Sequence, residues 1–217
     1  MKKLFALISL ITSLNIYSKS TILIIGDSHT AGYFGQALDS LFKADEQYQI
    51  ATYGVGGAIG RYYFQGTYSK WGYYFSPLFG KIEQGDNAYT PLLSELINHI
   101  KPDLIIVALG MNYLNYDQMW AKADLQKLER TVKAEAKIIW VGPPNANEKN
   151  KKNIEKIYQL LNQSLAPNTL LIDSRLYSEY PNTGKLDGIH YWGAAGKLEA
   201  GKWAQSIYNL TKQVLQY

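Results

Sequence analysis

Cysteine is absent from this chain of 217 residues. That excludes disulfides, a lipidated cysteine and thiol chemistry, and it is compatible with a protein of the cell envelope. Histidine is scarce, with three in all, so a general base has few candidates. Charge is sparse, at 18% of residues, and the formal excess of +4 sits largely at one end. Residues 1–20 carry Lys2, Lys3 and Lys19 and no acid; without them 19 basic residues face 18 acidic ones. A nearly neutral body excludes a nucleic-acid surface. No run is long enough for a comfortable membrane span, since the mostly apolar stretch 4–16 falls short of one. Repeats and a linker are lacking too, so a single domain is expected.

Residues 1–20 read as a secretory signal. Lys2 and Lys3 form the charged start, 4–16 the apolar middle, and Ser18-Lys19-Ser20 the small-residue cleavage region, with a cut there or a few residues earlier. The competing readings are an uncleaved anchor or a buried first helix. Export to the periplasm or the extracellular space follows, with no stable membrane insertion after cleavage. Residues 21–217 are then one domain, with an aromatic-rich insertion over 61–90.

The domain alternates strand and helix. Strands are expected over 21–26, 48–53, 104–109, 137–141 and 169–172, and helices over 31–43, 91–100, 117–134, 150–165 and 194–215. Residues 104–109, LIIVAL, form an unbroken apolar run that suits a parallel strand covered on both faces. The alternation predicts an α/β fold, with a parallel sheet of about five strands and helices on both sides.

In such sheets, sites gather beyond the carboxyl ends of the strands. The first of these loops carries Gly26-Asp27-Ser28. A serine between a buried strand and a helix start is either a nucleophile or a helix cap. Its base must come from three histidines. His99 reads as a helix-end residue. His29 adjoins Ser28; its side chain is expected to point away from the base position, with a pocket role as the alternative. His190 sits in a loop at the right end of the sheet, three residues after Asp187, which can hold the imidazole tautomer. Asp173, also at a strand end, is the alternative acid. Oxyanion donors are available from the Ser28 N–H, from the glycine loop 53–58, and from the Asn112 side chain. In that loop Gly57 and its neighbour Gly56 compete.

These blocks together resemble the SGNH (GDSL) hydrolase family: Gly26-Asp27-Ser28, a glycine in the second loop, Gly110-x-Asn112, and Asp187-x-x-His190. They stand in family order and spacing and span nearly the whole domain. The resemblance implies a three-layer α/β/α, flavodoxin-like fold. It implies Ser28 as nucleophile, His190 as base and Asp187 as its orienter, with Ser28, Gly57 and Asn112 donating to the oxyanion. It implies neither metal nor organic cofactor. Three positions depart from the family pattern: His29 replaces an aliphatic residue, Tyr113 follows Asn112 where an aspartate is common, and Tyr191-Trp192 follows His190 where proline is common. No GxSxG elbow is present, which disfavours the lipase-like α/β-hydrolase fold. Gly54-x-Gly56 lacks the lysine-serine pair of a phosphate loop.

The most individual stretch is 61–81, RYYFQGTYSKWGYYFSPLFGK, with nine aromatic residues directly after the glycine loop. Its pattern is neither a clean helix nor a clean strand. Such rings either pack an insertion onto the core or stack on sugar faces. Trp71, Tyr73 and Tyr74 are the candidates for substrate binding. The expected activity is therefore hydrolysis of O-acyl, foremost O-acetyl, esters on envelope or extracellular carbohydrate. The alternatives are a lipase or thioesterase for longer chains, an acyltransferase, or a carbohydrate-binding protein. A small-molecule or glycan ester is the expected partner; no motif bears on oligomeric state.

Overall fold

The computed structural model describes residues 19–181 and 187–215. The expected leader lies outside them except for its last two residues. In chain order the elements are β1 (Ser20–Gly26), α1 (Ser28–Ala31), α2 (Tyr33–Ala44), β2 (Tyr48–Val55), α3 (Gly60–Gln65), β3 (Tyr68–Ser69), β4 (Tyr73–Ser76), β5 (Glu83–Gly85) and β6 (Ala88–Tyr89). There follow α4 (Leu93–Ile100), β7 (Leu104–Ala108), α5 (Gln118–Lys133), β8 (Lys137–Val141), α6 (Lys151–Ser164), β9 (Leu170–Ile172) and α7 (Gly193–Leu215).

The main sheet runs β5-β4-β2-β1-β7-β8-β9. The five strands from β2 to β9 are parallel, as the alternating pattern demands. The expectation of about five strands needs one correction. The aromatic insertion adds β4 and β5 antiparallel at the β2 edge, so the sheet is mixed and seven-stranded. A small second sheet, β3 with β6, closes the insertion on itself.

Residues of β1 and β7 alternate between two cores. Leu23, Ile25, Ile105 and Val107 face α3, α4, α5 and α6, where Tyr63, Leu96, Leu125 and Leu161 are buried. Ile22, Ile24, Leu104 and Ile106 face α2 and α7, where Phe34, Leu38, Trp203 and Ile207 are buried. Burial on both faces explains why these strands read as continuous apolar runs. It also makes three layers, with the strand ends and their loops left as the working edge.

The insertion is anchored by a buried carboxylate. Asp39 of α2 is 1% exposed. It accepts from the hydroxyls of Thr52 at 2.9 Å, Tyr74 at 2.9 Å and Ser76 at 3.0 Å, with Lys43 at 3.1 Å. Helix α2, β2 and β4 are thereby joined at one point. Asp39→Ala strands three donors and a cation, so we expect a loss of about 3 kcal/mol in chemical denaturation, the scale for breaking a buried charged network. A loss under about 1 kcal/mol, the worth of a surface pair, would show that the insertion is held by other contacts.

Candidate active site

Strand β1 ends in a turn that tolerates nothing larger than glycine. A Cβ on Gly26 would lie 1.9 Å from Thr30 Oγ1 and 2.8 Å from Ala108 O. The buried Tyr63 hydroxyl fixes the same turn, accepting from Gly26 N–H at 3.0 Å and lying 2.7 Å from both Gly26 O and Tyr53 O. Asp27 N–H donates to Ala108 O at 3.2 Å, and the Asp27 carboxylate accepts from His29 N–H at 3.0 Å. Ser28 is thus held at the start of α1 over the carboxyl end of β1. Burial pushes the Asp27 carboxyl up to about 6. In this position it binds the loop backbone.

The loop before α7 brings His190 to Ser28. Asp187 Oδ1 accepts the N–H groups of Ile189 at 2.9 Å and His190 at 2.8 Å. Its Oδ2 lies 2.6 Å from His190 Nδ1, and His190 Nε2 lies 2.8 Å from Ser28 Oγ. A proton on Nδ1 satisfies the carboxylate and leaves Nε2 as acceptor for the serine hydroxyl. Burial alone would raise the Asp187 carboxyl. The hydrogen bonds from the His190 ring and from two backbone N–H groups outweigh it and hold the group down at about 2. The loop is braced from behind, where Tyr191 donates to Asn145 O at 2.9 Å and Asn145 donates to Arg175 O and Ser178 O. Asp173, the alternative acid, is held by Arg175 through contacts of 2.8 and 2.5 Å and does not reach His190.

The second and third loops complete the floor. Gly56 donates its N–H to Gly72 O at 2.8 Å. Gly57 takes φ of +77°, lines the cleft, and has no acceptor for its N–H among the described residues. Asn112 lies on the turn after β7, which Trp140 fixes by donating to Leu109 O at 2.8 Å. Tyr113 fixes it from the other side, accepting from Gly60 N–H at 2.8 Å and donating to Asp124 at 2.6 Å. The Asn112 amide donates to Ala58 O at 3.1 Å and lies 3.5 Å from Asp27 Oδ2. Ser28, Gly57, Asn112, Asp187 and His190 all line one open cleft of about 730 Å³.

His29 does not point away from the base position. Its ring is buried 5.5 Å from the ring of His190 and meets Trp203 edge-on at 5.7 Å. Burial, and then the neighbouring His190, push its pKa down to about 3, so the ring is neutral near pH 7.

The aromatic candidates divide. Trp71 is 71% exposed on the rim, its Cδ1 only 3.4 Å from where a Cβ on Gly57 would stand. Tyr73 also lines the cleft. Tyr74 does not; it is buried with its hydroxyl on Asp39. The reason is geometric: consecutive residues of a strand face opposite sides, so Tyr73 and Tyr74 of β4 cannot share a cleft. Sequence reading passed over Tyr62, Tyr116 and Trp192 as lining residues. The signal for Trp192 was its place two residues after His190.

No protein-family model and no curated protein sequence matches the chain. Solved structures do. The family 3 carbohydrate esterase of Clostridium thermocellum aligns over 92% of this chain and 98% of its own, with TM-score 0.57 and 16% identity. A member of the lipolytic G-D-S-L family from Veillonella parvula aligns over 88% and 98%, with TM-score 0.53 and 13% identity. A peptidoglycan O-acetylesterase aligns over 93% of both chains, with TM-score 0.53 and 10% identity. At these identities the likeness is one of architecture: the chain has the SGNH hydrolase fold, and its own Ser28, Asn112, Asp187 and His190 line one cleft beyond the strand ends.

Proposed function

We propose that the protein is a serine ester hydrolase acting on O-acyl, foremost O-acetyl, groups of carbohydrate outside the cytoplasm. The observation that carries the reading is the line Ser28 Oγ, His190 Nε2, His190 Nδ1, Asp187 Oδ2, with contacts of 2.8 and 2.6 Å. A free hydroxyl is a poor nucleophile at neutral pH, and this line supplies the base that a serine needs. Ser28 Oγ attacks the ester carbonyl while His190 Nε2 takes its proton. The carbonyl oxygen becomes an oxyanion, stabilised by the N–H groups of Ser28 and Gly57 and by the Asn112 amide. The bond to the alcohol oxygen then breaks, and His190 returns the proton to that oxygen. Water, deprotonated by His190, then attacks the acyl carbon; as the bond to Ser28 Oγ breaks, His190 gives the proton to Oγ, releasing the carboxylic acid and free Ser28.

The carbohydrate part draws support from the aromatic rim, where Trp71, Tyr73 and Tyr116 surround the floor. The esterase names of the C. thermocellum and peptidoglycan O-acetylesterase structures support it further. The site outside the cytoplasm rests on the leader-like residues 1–20. No described helix is long and apolar enough to cross a membrane. Acetate release from acetylated xylan and acetylated peptidoglycan, run beside p-nitrophenyl esters of rising chain length, tests the reading. Release of acetate with a preference for the shortest acyl group supports it. Activity on long-chain esters alone points to a lipase.

The oxyanion assignment has its own test. Asn112→Ala should lower kcat by on the order of 10²–10³-fold with KM little changed, as for loss of one donor that acts in the transition state. A rise in KM at constant kcat would make Asn112 a ground-state binding residue instead.

A further inference from the structure

Trp192 stands beside the base. Its ring centroid is 5.4 Å from that of His190, at 39°, and the residue is 50% exposed. A large aromatic surface left half open, next to a reacting group, is available for a ligand. Trp71 lies elsewhere, against Gly57, on the side where the oxyanion donors are. Ser28 lies 2.8 Å from His190 Nε2 and lines the same cleft as both tryptophans.

The chemistry orders these sides. The group that leaves must be protonated by His190 Nε2, so its oxygen lies within hydrogen-bond reach of that nitrogen. In an O-acylated sugar the leaving group is the sugar itself. Its ring therefore lies on the His190 side, where Trp192 is the exposed flat surface. Tyr33 and Gln36 of α2 also line the cleft; the Gln36 amide N–H donates to Ala31 O at 3.3 Å, which leaves its carbonyl oxygen for a hydroxyl group. Among the described lining residues there is no lysine, arginine or glutamate.

We propose that Trp192 is the leaving-group platform, stacking on the pyranose whose O-acyl group is being removed, and so setting specificity for the alcohol half of the ester. This rests on the serine esterase reading above. Interaction with a remote sugar lowers the barrier only for substrates that carry one. The test compares two acetates that form the same acetyl-serine: an O-acetylated neutral oligosaccharide and ethyl acetate. In Trp192→Ala the ratio of kcat/KM for the oligosaccharide over that for ethyl acetate should fall about tenfold or more. Trp192→Tyr should recover most of it, and the acetate-to-butyrate preference on p-nitrophenyl esters should not move. Equal losses on both acetates would show that Trp192 acts through His190 and would overturn the platform. So would an undiminished ratio or a changed acyl preference. Labelling by a fluorophosphonate reports the esterase reading separately. A wild-type protein that is labelled and splits ethyl acetate without favouring the acetylated sugar overturns the platform alone; one that is neither labelled nor active overturns both.

Discussion

Ser28→Ala should remove ester hydrolysis almost entirely, with kcat reduced on the order of 10⁶-fold, and His190→Ala should do the same because nucleophile and base act as one unit. The hydroxyl of Ser28 is joined to His190 Nε2 by one hydrogen bond of 2.8 Å. Its loss leaves the loop held by Gly26, Asp27 and Tyr63, whose bonds do not involve the serine side chain. The variant should therefore fold with an unchanged circular dichroism spectrum and melting temperature. Kinetics on p-nitrophenyl acetate read the effect, after subtraction of the uncatalysed rate. A folded Ser28→Ala protein with turnover near that of the parent would rule out nucleophilic catalysis at this position.

The second large effect is expected at Asp187. Asp187→Asn should lower kcat on the order of 10⁴-fold while leaving substrate binding nearly intact, because an amide in this place favours the wrong imidazole tautomer. With the ring proton on Nδ1, 2.6 Å from Asp187 Oδ2, Nε2 is left free to receive the serine proton. An asparagine that presents N–H to Nδ1 moves the ring proton to Nε2, where it blocks that transfer. The pH dependence has a definite sign. The folded Asp187 carboxyl sits at about 2, below its ordinary 3.8. Its pairing is therefore complete above the unfolded value and is lost only as pH falls toward about 2. The orienting contact holds throughout the range in which an esterase is assayed. Full activity in Asp187→Asn, measured alongside an unchanged melting temperature, would remove Asp187 from the mechanism and leave a serine-histidine pair.

Much of the site was legible because each chemical group sits at a strand end, and strand ends are visible as the edges of apolar runs. Gly26-Asp27-Ser28 follows β1, Gly57 follows β2, and Asn112 follows β7. The Asp187-x-x-His190 spacing sets both bonds of one loop, since three residues bring the carboxylate back to both the N–H and the ring of His190. The two extra strands were not legible for a physical reason. Tyr73-Tyr74-Phe75-Ser76 has aromatic side chains on both faces, so the period of two is hidden in the residue types. Its inward residues, Tyr74 and Ser76, are drawn to a buried carboxylate on α2 rather than to an apolar core. No hydrophobic pattern reports such an anchor. The place of His29 was hidden likewise. Its neighbours Trp203 and Tyr191 come from the far end of the chain, and they hold a ring that sequence proximity alone turned away from the base position.

Modification by an active-site-directed fluorophosphonate, read by intact mass and peptide mapping, tests the central claim most directly, because only an activated serine reacts with it at neutral pH. The wild-type protein should take up a single adduct, on the peptide that contains Ser28, while Ser28→Ala and His190→Ala take up none. An unmodified wild-type protein, or an adduct on any other residue, would contradict the account.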